Sequence, residues 1–148
     1  MAPFVIRRVS PDDRGEWLRM RTILFHPADP SGLADQLDSM LQDPTTPVFV
    51  AERQGGGLCG LLEAGTRPYA DGCDTSPVGY IEGWFVDEDT RGMGVGRALV
   101  AAAEDWAREQ GMHEMASDTA ISNEAGLKAH LALGYREIER VIHLAKEL

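Results

Sequence analysis

The sequence has few cysteines and no long apolar run. Its 148 residues include only two cysteines, Cys59 and Cys73, and neither belongs to a CxxC pair. The four histidines form no HxxxH or HExxH pattern, so no bound metal is expected. No apolar segment approaches the roughly 20 residues of a membrane span, and the amino terminus does not resemble a signal peptide. These absences predict a reduced, cytoplasmic protein with no membrane partner.

Positive charge is also scarce. Lysine and arginine together number 14 against 24 aspartates and glutamates, which gives a formal net charge of −10. Nucleic acid is therefore not expected as a partner, because a phosphate backbone binds clustered lysines and arginines. An acidic cleft would instead attract and concentrate a cationic small molecule. The alternative is that the negative charge serves solubility alone.

The chain length fits one domain over residues 1–148. Hairpin-like strands come first and βα units later, which predicts an α/β (α+β) fold with a mixed sheet and helices on its faces. Helices are expected from Pro11, over residues 33–41, after the glycines near residue 96, and over Asn123–Leu133. Strands are expected at Phe4–Val9, 47–53, 58–67, 78–86 and 113–118, with one or two closing strands in 135–148.

Three glycines at alternate positions, Gly92, Gly94 and Gly96, open one of these helices. Neither GxxxxGK[ST] nor GxGxxG fits this segment. What remains is RxxGxG after a strand and an acidic turn, beginning at Arg91. The first N–H groups of a helix lack partners within the helix, and bare glycine backbone lets a pyrophosphate reach them. Arg91 and Arg97 could flank the same phosphates; the alternative is a plain left-handed turn.

This pattern resembles the acetyl-CoA signature [Q/R]xxGx[G/A] of the GNAT N-acetyltransferase superfamily. A second segment, NEAGLKAHLALGY, resembles another signature of that superfamily, with Asn123, His130 in place of the usual Tyr, Gly134, and Tyr135 in place of Phe. The resemblance covers nearly the whole chain. It implies the GNAT fold, with a mixed central sheet of about six to seven strands, one splayed strand pair, and helices on both faces.

The resemblance also implies acetyl-CoA as the acetyl donor. The backbone of Phe85 and Val86 would pair with the pantetheine amides as an added strand does, and the Val86 N–H would polarise the thioester carbonyl and stabilise the oxyanion. Asn123 would hydrogen-bond the cofactor or nearby backbone. His130 would also contact the cofactor; it stands where the superfamily usually has a Tyr that protonates the leaving thiolate, and it could serve as that acid or only pack. The pyrophosphate would bind the loop formed by Arg91, Gly92, Met93, Gly94, Val95, Gly96 and Arg97.

Several longer strings resemble a narrower group, the small single-domain aminoglycoside 6′-N-acetyltransferases. They are DGCDTSP, the IEG strand, EMASDT and ERVI. This resemblance implies direct transfer of an acetyl group from acetyl-CoA to the 6′-amino group of an aminoglycoside in a ternary complex, which confers antibiotic resistance. It also implies a homodimer built partly from the carboxyl-terminal strands.

A polycationic substrate needs carboxylates to hold its ammonium groups and a route to remove one proton. Glu82 is the candidate base, directly or through water. Alternation predicts residues 82, 84 and 86 on one face of the strand, unless a bulge at Gly83 intervenes. The other residues that the resemblance and their positions suggest for substrate binding are Asp118, Glu139, Phe25 as an aromatic wall, and Tyr69 and Asp71 at the rim.

Simpler roles and other functions remain open. Asp118 could cap the following helix, and Glu139 could merely face solvent. The enzyme could act on a polyamine or a peptide amine. A non-catalytic acyl-CoA-binding module is the remaining alternative.

Overall fold

A computed structural model describes residues 3–26 and 31–148 of the chain. It divides into two compact units, one ending at Ser117 and the other comprising Asp118–Leu148. No helix in the described ranges is long and apolar enough to cross a membrane. The second unit contains α5 (Glu124–Ala132). The first unit contains β1 (Phe4–Arg8), α1 (Arg14–Phe25), α2 (Ser31–Asp35), α3 (Leu37–Gln42), β2 (Val48–Arg53), β3 (Leu58–Arg67), β4 (Val78–Val86), α4 (Val95–Glu109) and β5 (Met115–Ser117).

The five strands form one mixed sheet in the order β1-β2-β3-β4-β5. The first four are antiparallel neighbours, and β5 joins β4 in parallel. The β4–β5 pairing runs only from Gly79 opposite Met115 to Ile81 opposite Ser117. β4 itself continues to Val86 with β3 as its neighbour. Within the described sheet, the far edge of β4 therefore lacks a strand partner over residues 82–86.

The predicted mixed α/β class is confirmed, but residues 3–26 and 31–148 contain five strands and not the six or seven expected. The closing strands expected over residues 135–148 are absent, since this segment forms neither helix nor strand. Its alternating apolar and charged residues match a strand period, but a strand also needs a neighbouring edge for its hydrogen bonds. The helix expected over residues 33–41 is two short helices, α2 and α3, that meet at Gln36.

β4 carries one more residue than β3 where they pair. Glu63 lies opposite Gly83 and Ala64 lies opposite Ile81, so the bulge falls on Glu82. The bulge reverses the alternation predicted from the sequence. Gly83 lies on the face of the sheet that α1 covers, and a methyl group on it would be 2.8 Å from Leu24 Cδ2.

The residues that follow the bulge confirm the reversal. Trp84 lies on the opposite face beneath α4, where a methyl group at Gly96 would come within 3.0 Å of the indole ring. The Glu82 side chain lies across Gly65, on the face of the sheet that α1 covers, and its carboxylate is near the end of β3. The sequence predicted residues 82, 84 and 86 on one face unless a bulge at Gly83 intervened. A bulge is present, one residue earlier at Glu82, and it leaves Glu82 on the face opposite Trp84.

A buried ion pair attaches α1 to the sheet. Arg21 (5% exposed) donates to both carboxylate oxygens of Glu63 (2% exposed), at 2.6 and 3.1 Å. The Trp17 indole N–H donates to the same carboxylate at 2.9 Å. Arg21 also donates to the Leu33 carbonyl and to the Gln36 side chain. The cluster satisfies both buried charges and ties α1, α2 and β3 together around an apolar core.

A second ion pair attaches α1 to the turn that follows β4. Arg19 donates to both oxygens of Asp87, at 2.9 and 2.8 Å, and also to Glu16. Arg53 donates to Asp87 at 3.1 Å and to Asp89. The Arg19 guanidinium holds the pKa of the largely buried Asp87 carboxyl below its usual range. This network fixes the start of the loop that leads into α4.

We expect Arg21→Met to lower the free energy of unfolding by about 3–5 kcal/mol, because it leaves the Glu63 carboxylate buried without its counter-ion. Urea unfolding followed by tryptophan fluorescence measures this change. Arg108→Met is the matched control, because Arg108 pairs with Asp105 at the surface, where both side chains are about two-thirds exposed; we expect little change. A loss below about 1 kcal/mol in Arg21→Met would contradict this account of the buried pair.

The Asp87 network predicts a pH dependence of stability. Because the folded-state pKa of Asp87 is lowered, its ion pair stabilises the fold above the ordinary carboxyl pKa of about 3.9, and this contribution disappears as the pH falls through the lowered value. Arg19→Gln should therefore destabilise the protein by about 1 kcal/mol at pH 7 and by progressively less below pH 4. Urea titrations at pH 7 and at pH 3, with Arg108→Gln as control, measure the difference. An equal loss at pH 7 and pH 3 would refute it.

Candidate active site

The glycine loop forms the amino-terminal end of α4. Gly92 and Gly94 have φ values of 82° and 87°, a region in which side chains with a Cβ are strained. A methyl group on either glycine would have no atom within 4 Å, so this backbone faces open space. Gly94 is the N-cap residue, and Ala98 N–H makes the first helical bond, to Gly94 O. The N–H groups of residues 95–97 precede that bond and form the positive end of the helix dipole.

The remaining loop residues have different surroundings. The Val95 side chain is buried, so only its backbone N–H is available to a ligand. Met93 and Arg97 are exposed. Arg91 is also exposed, and its Nε donates to the Val86 carbonyl at 3.1 Å. Gly96 differs from the other two glycines, because its bare backbone allows α4 to pack on Trp84.

The backbone of Val86 faces the open edge of β4. Asp87 N–H donates to Cys59 O at 2.8 Å, so this antiparallel pair is hydrogen-bonded. Hydrogen-bonded and non-hydrogen-bonded pairs alternate along an antiparallel ladder. Phe85 therefore directs its N–H and C=O toward β3, and Val86 directs them away from it. Of the two residues expected to pair with pantetheine, Val86 has the available N–H.

Glu82 lies at the surface next to a cation. Its carboxylate accepts from Arg67 Nε at 3.3 Å and from Arg67 Nη2 at 3.0 Å, with a further short contact between Nη2 and the other oxygen. The guanidinium carbon lies 3.4 Å from the centroid of the Tyr80 ring. The Glu82 carboxylate is therefore accessible to a ligand.

Phe25 lies beside Glu82. A methyl group on Gly83 would be 2.9 Å from Phe25 Cζ, so the ring rests on the backbone immediately after Glu82. The Arg21 guanidinium stacks on Phe25 at 5.3 Å from its centroid. The buried Arg21–Glu63 pair therefore also positions this aromatic ring.

Tyr69 and Asp71 lie in the loop between β3 and β4. Tyr69 is 67% exposed, and its hydroxyl donates to Asp71 Oδ1 at 2.8 Å. Glu114 holds the loop by accepting from the N–H groups of Asp74 and Thr75, at 2.8 and 2.7 Å. The Thr75 hydroxyl also donates to this carboxylate, and this bond, followed by the backbone N–H bonds, lowers the pKa of the Glu114 carboxyl. The DGCDTSP string thus has a structural role in fixing the loop that presents Tyr69.

The second unit contains the other expected site residues. Asp118 is exposed and follows the last residue of β5. It does not cap α5, because Asn123 does so by accepting from Gly126 N–H at 2.9 Å. Asn123 also donates to Thr119 Oγ1 at 3.1 Å. Glu139 is exposed, and the strand expected to carry it is absent.

His130 lies on α5 with its ring fixed on one side. Nδ1 lies 2.7 Å from Gly126 O, and because a carbonyl oxygen only accepts, Nδ1 carries the proton. In the neutral ring Nε2 then holds a lone pair, so proton donation from Nε2 requires the imidazolium form. The Tyr135 ring packs edge-on against His130, with centroids 5.8 Å apart.

Three contacts of the site were missed by sequence reasoning. Arg67 lies on β3 and Tyr80 on β4. Whether they contact Glu82 depends on the register between these strands, which the bulge shifts. Asp87 follows a strand whose sequence gives no sign of the Arg19 partner 68 positions away. The only available signal was the glycine at position 83, which marked a bulge without fixing its position. Within residues 3–26 and 31–148, no group of three or more His, Cys, Asp or Glu side chains is placed to hold a metal ion.

Comparisons with known proteins agree on one family. The model of the acetyltransferase (GNAT) family matches residues 14–135. The aminoglycoside N(6′)-acetyltransferase type 1 of Stenotrophomonas maltophilia is 38% identical over 97% of this chain and 93% of its own length. The enzyme of the same name from Salmonella typhimurium is 39% identical over 95% of this chain and 97% of its own.

Solved structures are similar over the same length. AAC(6′)-Iy in complex with the bisubstrate analog CoA-S-monomethyl-acetylneamine matches with a TM-score of 0.88 and 38% identity, covering 98% of this chain and 99% of that one. AAC(6′)-Ih from Acinetobacter baumannii matches with a TM-score of 0.90 and 29% identity, covering 98% and 99%. Because the family model matches most of this chain, the chain belongs to the GNAT acetyltransferase family.

Proposed function

We propose that the protein is an aminoglycoside 6′-N-acetyltransferase that uses acetyl-CoA and transfers the acetyl group directly in a ternary complex. The observation that carries this proposal is the open edge of β4, which has an accessible carboxylate, Glu82, at one end and the glycine-capped start of α4 just beyond the other. Relatives that carry this activity in their names are 38–39% identical over at least 95% of the chain. Loss of the 6′ charge on acetylation is the proposed basis of antibiotic resistance.

The loop before α4 fits the cofactor diphosphate. Open space next to Gly92 and Gly94, the N–H groups of residues 95–97, and the two nearby arginines all favour a bound anion. When bound, acetyl-CoA supplies the acetyl group as a thioester. We propose that the Val86 N–H polarises its carbonyl and that the far edge of β4 pairs with the pantetheine arm. Asn123 and His130 remain proposed cofactor contacts.

The substrate side is proposed to consist of Glu82, Asp118, Glu139, Phe25 and Tyr69. Glu82 would hold the 6′-ammonium group and, directly or through one water, accept the proton that makes the amine nucleophilic. The neutral amine would then attack the thioester carbonyl of acetyl-CoA and the C–S bond would break. The departing coenzyme A thiolate would take up the proton that the attacking nitrogen loses, so no residue of the chain becomes acylated. Asp118 and Glu139 would hold other ammonium groups. Phe25 and Tyr69 would provide an aromatic wall and rim.

A thiol-release assay with acetyl-CoA tests the proposal. We expect turnover with kanamycin A and none with an aminoglycoside that has a hydroxyl at the 6′ position. Glu82→Gln should lower kcat/KM by roughly 10²–10⁴, the usual range for losing a general base. Glu109→Gln, which removes an exposed carboxylate at the end of α4, is the control. Turnover of spermidine or a peptide amine without kanamycin A would instead support another substrate, and cofactor binding without any transfer would support a non-catalytic module.

We also propose a cytoplasmic homodimer. Cys59 and Cys73 are free thiols, as expected in a reducing compartment. The carboxyl-terminal segment exposes several large apolar side chains, which packing against a second copy would cover. They are Ile138, Val141, Ile142, Leu144 and Leu148.

Light scattering over a range of protein concentrations tests the dimer. We expect the wild-type protein to have twice the monomer mass and Ile142→Glu to be shifted toward the monomer, because a buried unpaired charge opposes association. Lys146→Glu is the control within the same segment. A wild-type protein that is monomeric at all concentrations would refute the dimer.

A further inference from the structure

The carboxylate proposed to hold the substrate amine already holds a cation of the chain. Arg67 contacts both oxygens of Glu82 with two of its nitrogens. A carboxylate has two oxygens, and a guanidinium that engages both occupies the geometry an ammonium group needs. The two cations therefore compete for Glu82.

The local backbone favours this pairing. Glu82 is the extra residue of the bulge, and it lies across Gly65, where a methyl group would be 3.3 Å from its Cγ and Oε2. This places the carboxylate next to Arg67, two residues further along β3. The Arg67 guanidinium also stacks on Tyr80. The ring keeps its contact with the guanidinium if the carboxylate binds another cation.

Both charged groups are accessible to solvent. The Arg67 side chain is 43% exposed and that of Glu82 is 35% exposed. Exposed ion pairs contribute little net free energy. A second cation in solution can therefore replace the guanidinium at a small cost in free energy. An ion pair of this kind weakens ligand binding without closing the site.

We propose that Arg67 determines substrate affinity as the resident cation of Glu82, which an ammonium group of the substrate must displace. This inference rests on the proposed role of Glu82. The displaced guanidinium stays on the Tyr80 ring. Arg67 then lowers the affinity for every amine that engages Glu82 and leaves the affinity for acetyl-CoA unchanged.

Isothermal titration with kanamycin A, and separately with spermine, tests the proposal. Arg67→Gln should lower the Kd of either polycation roughly two- to fivefold, the range for releasing an exposed ion pair. Arg108→Gln is the matched control, because it changes the net charge equally on the exposed surface of α4; we expect no change in Kd. In steady-state assays Arg67→Gln should lower KM for kanamycin A and leave kcat and the KM for acetyl-CoA unchanged.

Two further variants make the outcome decisive. In the Glu82→Gln background, Arg67→Gln should give no gain, because the competition needs the carboxylate. Arg67→Lys keeps the charge but loses the planar guanidinium, so its Kd should be lower than that of the wild type; this comparison decides the matter if Arg67→Gln unfolds. A Kd that is unchanged or raised in Arg67→Gln overturns the proposal, and a raised value with reduced kcat means that Arg67 orients Glu82. Failure to acetylate kanamycin A counts against the proposed function alone, since the spermine titration still decides whether Arg67 competes.

Discussion

One extra residue in β4 arranges the part of the candidate site that lies on the sheet. A bulge at Glu82 shifts the strand by one position against β3, so the residues before and after it exchange faces. As a result, Glu82 lies with Arg67 and Tyr80, whereas Trp84 packs beneath α4. A regular strand would place Glu82 on the same side as Trp84. The acid group and the helix that starts at the glycine loop can therefore occupy opposite sides of the same strand.

Strands β3 and β4 and the turn after β4 carry three carboxylates that pair with arginines. The formal net charge of the protein is −10, yet the carboxylates nearest the sheet are matched by arginines: Glu63 by Arg21, Asp87 by Arg19, and Glu82 by Arg67. The first pair is buried, the second is partly covered, and the third is accessible. Their different exposure separates their roles, because a buried pair holds the fold, whereas an accessible pair can exchange partners with solute cations.

The sequence was sufficient for the features that depend on local pattern. Glycine spacing located the start of α4, apolar periodicity located β1 to β5, and the two signatures indicated the family that the comparisons then confirmed. Features that depend on pairing between distant segments were not accessible in this way. The position of the bulge is decided by the fit of Gly83 beneath Leu24 and of Glu82 across Gly65. The alternation in residues 135–148 predicted a strand, but a pattern within one segment does not supply the neighbouring edge that a strand requires.

Helix α1 has contacts with both halves of the candidate site. Arg19 binds Asp87, which begins the loop before α4, and Phe25 rests on the strand beside Glu82. The two residues are six positions apart, or roughly 9 Å along the helix axis. The loop before α4 and the strand beside Glu82 therefore depend on one shared helix, and the buried Arg21–Glu63 pair anchors that helix at a position between the two contacts.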